Sequence, residues 1–167
     1  MRRLARRGGK GYDGGMASER IWTAGLLIIG DEILSGRIHD RNVAPIATWL
    51  NLQGIRLTEV RVVPDVMARI VEAVNALRSA NDYLFTTGGI GPTHDDITVD
   101  AIAAALGVGV EIHPKARAAL EAYYPDRAGV SEATLRMVRV PAGAELIENR
   151  MSGAPGIRCG NIFMLAG

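Results

Sequence analysis

The sequence is poor in the residues that would support a disulfide framework, a zinc centre or a membrane span. Its single cysteine, Cys159, has no partner for an internal disulfide and is typical of a protein of the reducing cytoplasm. The three histidines show no paired spacing of the kind that binds zinc. No apolar run approaches the roughly 20 residues that cross a bilayer. We therefore expect a cytoplasmic protein that does not enter a membrane.

Positive charge is unevenly distributed along the chain. The first 15 residues contain five arginine or lysine residues and one aspartate, so a chain of formal net charge +1 carries −3 beyond them. That stretch is rich in glycine and lacks the apolar middle region of a secretory signal. We expect residues 1–20 to form a disordered basic tail and residues 21–167 to form one domain. Because the domain is mildly acidic, nucleic acid is not an expected partner.

Short apolar stretches alternate with helical stripes through residues 21–167. Residues 24–29, 55–63 and 83–85 are predicted strands, and apolar residues at helical spacing follow each of them. This alternation predicts an α/β fold, a three-layer α-β-α sandwich with a mostly parallel sheet. The last predicted strand stops at its turn, which indicates a domain cut short at its C-terminal end. The later predicted elements are an extended segment at 108–112, helices at 114–124 and 131–138, and strands at 145–147 and 161–165 that flank an irregular loop at 149–156.

A glycine-rich turn separates the strand at 83–85 from the helix predicted at 98–106. Gly88, Gly89 and Gly91 place bare backbone N–H groups ahead of a helix N-terminus, where a phosphate can be held. The alternative is that they only allow a tight turn with positive φ. Neither the dinucleotide fingerprint nor the P-loop pattern is present. The turn therefore matches neither nucleotide-binding motif, and both interpretations of its glycines stay open.

Acidic residues follow three of the predicted strands. Asp31, Asp65 and the pair Asp95-Asp96 would meet at one rim of a parallel sheet, where α/β proteins bind their ligands. Two carboxylates repel a phosphate unless a cation lies between them, so the pattern indicates metal-assisted phosphate chemistry.

Other interpretations of these side chains stay open. Asp96 could cap the helix that follows, since Thr93 and Asp96 have capping-box spacing. His94 could be a general acid or a solvated loop residue. Asn42 is a plausible N-cap for the helix that begins near residue 43.

Several motifs together resemble the molybdopterin-binding domain family. They are the Gly30-Asp31-Glu32-Ile33-Leu34-Ser35-Gly36 segment, the Asp40/Asn42 pair, Val63-Pro64-Asp65, the run from Thr86 to Thr98, and Gly153-Ala154-Pro155-Gly156. Within the family the chain is most similar to the competence/damage-inducible (CinA-like) branch, over residues 22–167. The Leu-Pro-Gly-type segment that closes the family pattern appears here as Leu165-Ala166-Gly167.

The resemblance implies a site as well as a fold. It implies that Asp65 and Asp96 are catalytic and hold Mg²⁺ or another divalent metal, with molybdopterin as ligand. It also implies a homo-oligomer, a trimer or a dimer. The other residues that it implies in ligand binding are Gly30, Asp31, Glu32, Ser35, Asn42, Thr87, Gly88, Gly89, Ile90, Gly91, Pro92, Thr93, Asp95 and Thr98.

Three functions are compatible with these motifs. The first is a molybdopterin-binding protein of molybdenum-cofactor metabolism that binds a phosphorylated pterin with Mg²⁺. The second is a metal-dependent nucleotide pyrophosphatase acting on ADP-ribose, an activity that the resemblance links to the competence/damage-inducible branch. The third is a binding module without catalysis, in which the acidic residues act as caps.

Overall fold

The computed structural model describes residues 20–123, 131–149 and 155–166. The predicted tail, apart from residue 20, and the Gly153-Ala154 part of the late family motif lie outside these residues. The helices and strands are β1 (Trp22–Ile29), α1 (Asp31–Leu34), α2 (Val43–Leu52), β2 (Ile55–Val63), α3 (Met67–Ala80), β3 (Tyr83–Thr87), α4 (Thr98–Leu106), β4 (Val110–Ile112), α5 (Pro114–Tyr123), α6 (Glu132–Arg136), β5 (Arg139–Pro141), β6 (Glu145–Ile147), β7 (Gly156–Cys159) and β8 (Ile162–Leu165).

Six strands form one mixed sheet in the order β2-β1-β3-β8-β7-β6. The four strands from β2 to β8 are parallel, and β7 and β6 continue the sheet in antiparallel pairs. Strands β4 and β5 form a separate antiparallel pair. The α/β fold with a mostly parallel sheet is therefore confirmed.

Both faces of β1 are covered, which explains its continuous apolar sequence. Leu27 and Ile29 belong to one core, which also contains buried residues of α3 and α4. Leu26 and Ile28 point to the opposite face and pack with Leu50 of α2. Successive strand residues face opposite sides of the sheet, so the central strand needs an apolar side chain at every position.

The longer predicted elements agree closely with the structure. The helix predicted at 98–106 is α4, which ends at Gly107 in a left-handed conformation with φ of 68°. The strand predicted at 55–63 is β2. Ser131 accepts a hydrogen bond from the Thr134 amide at 3.2 Å, so its predicted role as a cap is confirmed.

The shorter elements depart from the prediction. Asn42 occupies the predicted N-cap position of α2, but its side chain makes no capping hydrogen bond. The Asp40 carboxylate accepts hydrogen bonds from the amides of Asn42 (3.2 Å) and Val43 (2.9 Å) instead. Residues 31–34 form the one-turn helix α1 where a loop was expected. Strands β5 and β7 were not predicted, since a strand of three or four residues depends on its partner strand more than on its own sequence.

No helix within the described ranges is long and apolar enough to cross a bilayer.

Candidate functional site

The C-terminal ends of β2, β1 and β3 lie side by side in the sheet. Ile29 of β1 is level with Val63 of β2, and Ile28 is level with Thr87 of β3. The Gly30 amide donates to the Val63 carbonyl at 3.1 Å, which joins the first two loops where they leave the sheet. The loops that carry Asp31, Asp65 and the glycine turn therefore start from one edge.

Asp65 reaches across this edge to the start of α1. Its Oδ2 atom accepts a hydrogen bond from the Asp31 amide at 3.0 Å, although the two residues belong to different loops. A carboxylate at the first amide of a helix is electrostatically favourable. The contact brings Asp31 and Asp65 together, as the sequence predicts for acids at one rim.

The pKa of the Asp65 carboxyl is raised above its ordinary value. Partial burial is the largest cause, and the hydrogen bond from the Asp31 amide acts in the opposite direction. The nearby negative charges of Glu32, Asp31 and Asp95 raise the pKa further. Carboxylates from the other two loops thus act on Asp65, and a cation bound beside Asp65 would relieve that repulsion.

The glycine turn after β3 is held against its neighbours by close backbone contacts. Gly88 has φ of 93°, and a side chain there would overlap the Ile29 carbonyl oxygen. Gly89 has φ of 65°, and a side chain there would overlap the Thr98 hydroxyl. The positive-φ interpretation of both residues is correct. Both glycines are required by the path of the chain, whatever the turn binds.

Thr98 anchors the turn to the start of α4. Its Oγ1 atom donates to the Gly88 carbonyl at 2.9 Å, and its amide donates to the Gly89 carbonyl at 3.0 Å. The amides of Gly89, Ile90 and Gly91 have no acceptor within the described ranges. The carbonyls of Gly88 and Gly89 are therefore occupied, whereas these three N–H groups have no partner among the described residues.

Asp96 and Asp95 have different surroundings. Oδ2 of Asp96 accepts hydrogen bonds from the Thr93 amide, at 2.8 Å, and from the Thr93 hydroxyl. These bonds close the loop ahead of α4 and do not cap it, because α4 begins at Thr98 with Ile97 in the N-cap position. Gly91 leaves room for the Asp96 carboxylate, since a Cβ atom there would lie 2.7 Å from Oδ2.

Asp95 is exposed, and its charge acts on Asp65. The Thr93 side chain lowers the pKa of the Asp95 carboxyl, with a smaller effect from the charge of His94. Asp95 therefore stays ionised beside the edge that Asp65 faces.

The other residues implied by the resemblance belong to the loops after β1 and β3, except Thr87 at the end of β3 and Asn42 at the start of α2. Glu32 folds back over Gly30, where an added side chain would overlap its carboxylate. Ser35 donates to the Glu32 carbonyl at 3.2 Å. Asn42 lies at the start of α2, where Asp40 binds its amide. Thr87 is buried at the end of β3, Ile90 packs against the main core, and Pro92 is exposed.

Two arginines that sequence reasoning did not single out adjoin these loops. Nη1 of Arg136 on α6 donates to the Thr93 carbonyl at 3.4 Å. Nε of Arg37 donates to the Ser35 hydroxyl at 3.0 Å. Arg37 directly follows the Gly30–Gly36 motif and could have been noticed for that reason. Arg136 is 43 residues from Thr93, and no local signal connects the two.

The carboxylates at this edge are suited to a magnesium ion, which takes few ligands from the protein. They are less suited to a metal that is coordinated by protein side chains only. No group of three or more His, Cys, Asp or Glu side chains within the described residues could hold a metal ion. Mg²⁺ is usually bound through one or two carboxylates, with water and ligand phosphates completing its octahedron. Asp65 with Asp95 or Asp31 would supply those carboxylates.

Comparison with known proteins places the chain in a family. A family model described as "Probable molybdopterin binding domain" matches residues 25–167. The chain belongs to this family. It is 37% identical over 138 residues to a protein of Aeropyrum pernix, which covers 82% of this chain and 50% of the relative. It is 35% identical over 144 residues to a CinA-like protein of Desulfosudis oleivorans, covering 86% of this chain and 33% of the relative.

A solved structure agrees with this family assignment. The crystal structure of the protein CinA from Thermoplasma acidophilum, described as having unknown function, superposes with a TM-score of 0.80 at 32% identity. The alignment covers 87% of this chain and 88% of that one. The family domain and its CinA-like relationship are thus established, while the chain spans only a third to a half of the length of the two curated relatives.

Replacing Gly88 by alanine tests the close approach of the glycine turn to β1. We expect Gly88→Ala to lower the free energy of unfolding by more than about 3 kcal/mol, because it combines a positive φ with a backbone collision. Gly36→Ala is the matched control, since Gly36 has φ of 72° with no atom within 4 Å of an added Cβ. The control should lose only about 1 kcal/mol. Equal losses in urea unfolding would contradict the assigned contact.

The titration of Asp65 tests the crowding of carboxylates. Carboxyl ¹³C NMR without metal should give Asp65 a pKa above 3.8 and Asp82, stabilised by the Thr23 amide, a pKa below it. The folded-state pKa of Asp65 exceeds its unfolded-state pKa. The contribution of Asp65 to the free energy of unfolding therefore falls as the pH rises from the unfolded-state pKa to the folded-state pKa. Glu32→Gln should lower the pKa of Asp65. An Asp65 pKa at or below that of Asp82 would refute this electrostatic picture.

Proposed function

We propose that this domain binds molybdopterin or a related phosphorylated pterin, together with Mg²⁺, and acts in molybdenum-cofactor metabolism. The observation that supports this most directly is the juxtaposition of free turn amides with carboxylates from neighbouring strands. The Gly89, Ile90 and Gly91 amides are suited to the oxygens of a phosphate, and Asp65 and Asp31 lie on the adjoining loops. We propose a pterin as the ligand because the chain belongs to a molybdopterin-binding domain family.

Each acidic residue has a distinct part in this proposal. Asp65 uses Oδ2 to hold the Asp31 amide, and its other oxygen would be the one that binds the cation. Asp95 is the second carboxylate that we favour, because its charge already acts on Asp65. Asp96, which resemblance implies as a metal ligand, instead keeps the loop closed through Thr93. When bound, Mg²⁺ would neutralise charge on the ligand phosphate.

Calorimetric titration of magnesium with a phosphorylated pterin tests this arrangement. Asp65→Asn should weaken Mg²⁺ binding about tenfold or more, since a carboxylate oxygen is the ligand that Mg²⁺ prefers. Asp95→Asn should weaken it more than Asp96→Asn does. Glu72→Gln, on the exposed surface of α3, is the control and should bind as the unmodified protein does. Unchanged affinity in Asp65→Asn would remove Asp65 from the proposed site.

A nucleotide pyrophosphatase is the second candidate, favoured by the CinA-like relationship. The structural match to CinA and the 35% identity to a CinA-like protein support a chemistry shared with that branch. In that reaction water attacks one phosphorus of ADP-ribose and the bridging P–O bond breaks. The products are AMP and ribose 5-phosphate. The glycine turn and the carboxylates that we propose for pterin binding would bind ADP-ribose and the metal in this reaction.

Release of AMP from ADP-ribose distinguishes turnover from binding alone. If the second candidate is right, the chain should release AMP in the presence of Mg²⁺, and both EDTA and Asp65→Asn should abolish release. Binding of ADP-ribose without any AMP would support a module that binds without catalysis. The expected homo-oligomer stays a prediction, to be checked by light scattering in the same samples.

A further inference from the structure

The Arg136 side chain is held at the edge of the glycine turn without being neutralised there. Its contact with the Thr93 carbonyl, at 3.4 Å, uses one of the five N–H donors of the guanidinium. Among the described residues, no other lysine or arginine side chain forms a hydrogen bond with residues 88–98. α6, which carries Arg136, thus delivers one positive charge to a loop that contains two carboxylates.

Arg136 forms no ion pair within 4 Å among the described residues. Arg139, three residues further along, differs, because its guanidinium pairs with Asp100 of α4. Arg117 of α5 is likewise paired, with Glu121 at 2.7 Å. Arg136 is therefore positioned by a backbone carbonyl and keeps most of its donors for another partner.

The chemistry around Arg136 favours a phosphate as that partner. A guanidinium presents parallel N–H groups that match two oxygens of a phosphate, and such charge-assisted bonds are stronger than neutral ones. The amides of Gly89 to Gly91, which have no acceptor among the described residues, belong to the same loop as the Thr93 carbonyl that holds Arg136. The carboxylates alone would repel that anion.

We propose that Arg136 is a specificity-determining residue that binds a phosphoryl group of the ligand at the glycine turn. The residue would select ligands with a terminal phosphate or a pyrophosphate over the same ring or sugar without one. This inference rests on the proposed function and adds to it a positively charged side chain that would bind the phosphate directly.

Pyrophosphate binding in the presence of Mg²⁺ tests the role of Arg136. Calorimetry should show that Arg136→Gln weakens inorganic pyrophosphate binding about tenfold or more, a loss typical of one charge-assisted contact. Arg136→Lys should restore part of the affinity. Arg117→Gln, which removes the same charge from a paired surface arginine, should bind as the unmodified protein does. The dependence of affinity on salt should become shallower in Arg136→Gln alone.

Mg²⁺ binding without pyrophosphate separates this role from a structural one. Arg136→Gln should keep its Mg²⁺ affinity and its urea midpoint, because the residue is expected to contact the anion and not the metal. Loss of Mg²⁺ affinity together with pyrophosphate affinity would mean that Arg136 only supports the loop, and would overturn the inference. Unchanged pyrophosphate affinity in Arg136→Gln, with binding lost in Asp65→Asn, would overturn it and leave the proposed function standing. If the unmodified protein binds no pyrophosphate, the inference about Arg136 fails, and the proposed function is decided separately by the titration with a phosphorylated pterin.

Discussion

The parallel register of β2, β1 and β3 is the constraint on which the candidate site depends. Residues Ile29 and Val63 are level, and Ile28 is level with Thr87, so three loops leave the sheet at one edge. The close approach of Gly88 to the Ile29 carbonyl then holds the third loop against the first. A shift of one residue in this register would turn core side chains to the wrong face, and the packing on both sides of β1 prevents it.

Two opposing electrostatic features meet at this edge. Backbone N–H groups of the glycine turn attract an anion, whereas Asp31, Glu32, Asp65 and Asp95 make the surroundings negative. Burial raises the pKa of Asp65 first, and the charges of Glu32, Asp31 and Asp95 raise it further. A cation placed between the carboxylates and a phosphate would satisfy both sets of groups. This is why we favour a phosphorylated ligand bound with a divalent metal over either one alone.

Membership of the family limits the ligands and reactions to be considered for this domain, but it does not identify one reaction. The matched family domain covers almost all of the described residues, and the CinA crystal structure shares the fold closely. The curated relatives are nonetheless two to three times as long as the matching part. Pterin binding and pyrophosphate hydrolysis would use the same turn and the same carboxylates. The two functions therefore differ in ligand specificity and in the activation of water. The positions of Arg136 and Asp95 bear on these two properties more directly than the fold does.

The sequence by itself determined the fold class, the long strands and helices, and the edge at which acids and glycines meet. Those features follow from local periodicity and from the rule that parallel strands end together. Only the tertiary structure decided that the Asp40 side chain and not that of Asn42 accepts the amide hydrogen bonds at the start of α2. It also decided that Asp96 turns to Thr93 while the charge of Asp95 acts on Asp65, and that Arg136 reaches Thr93. Short strands such as β7 also depend on distant partners. These outcomes come from side-chain directions and contacts between remote segments, which no local pattern encodes.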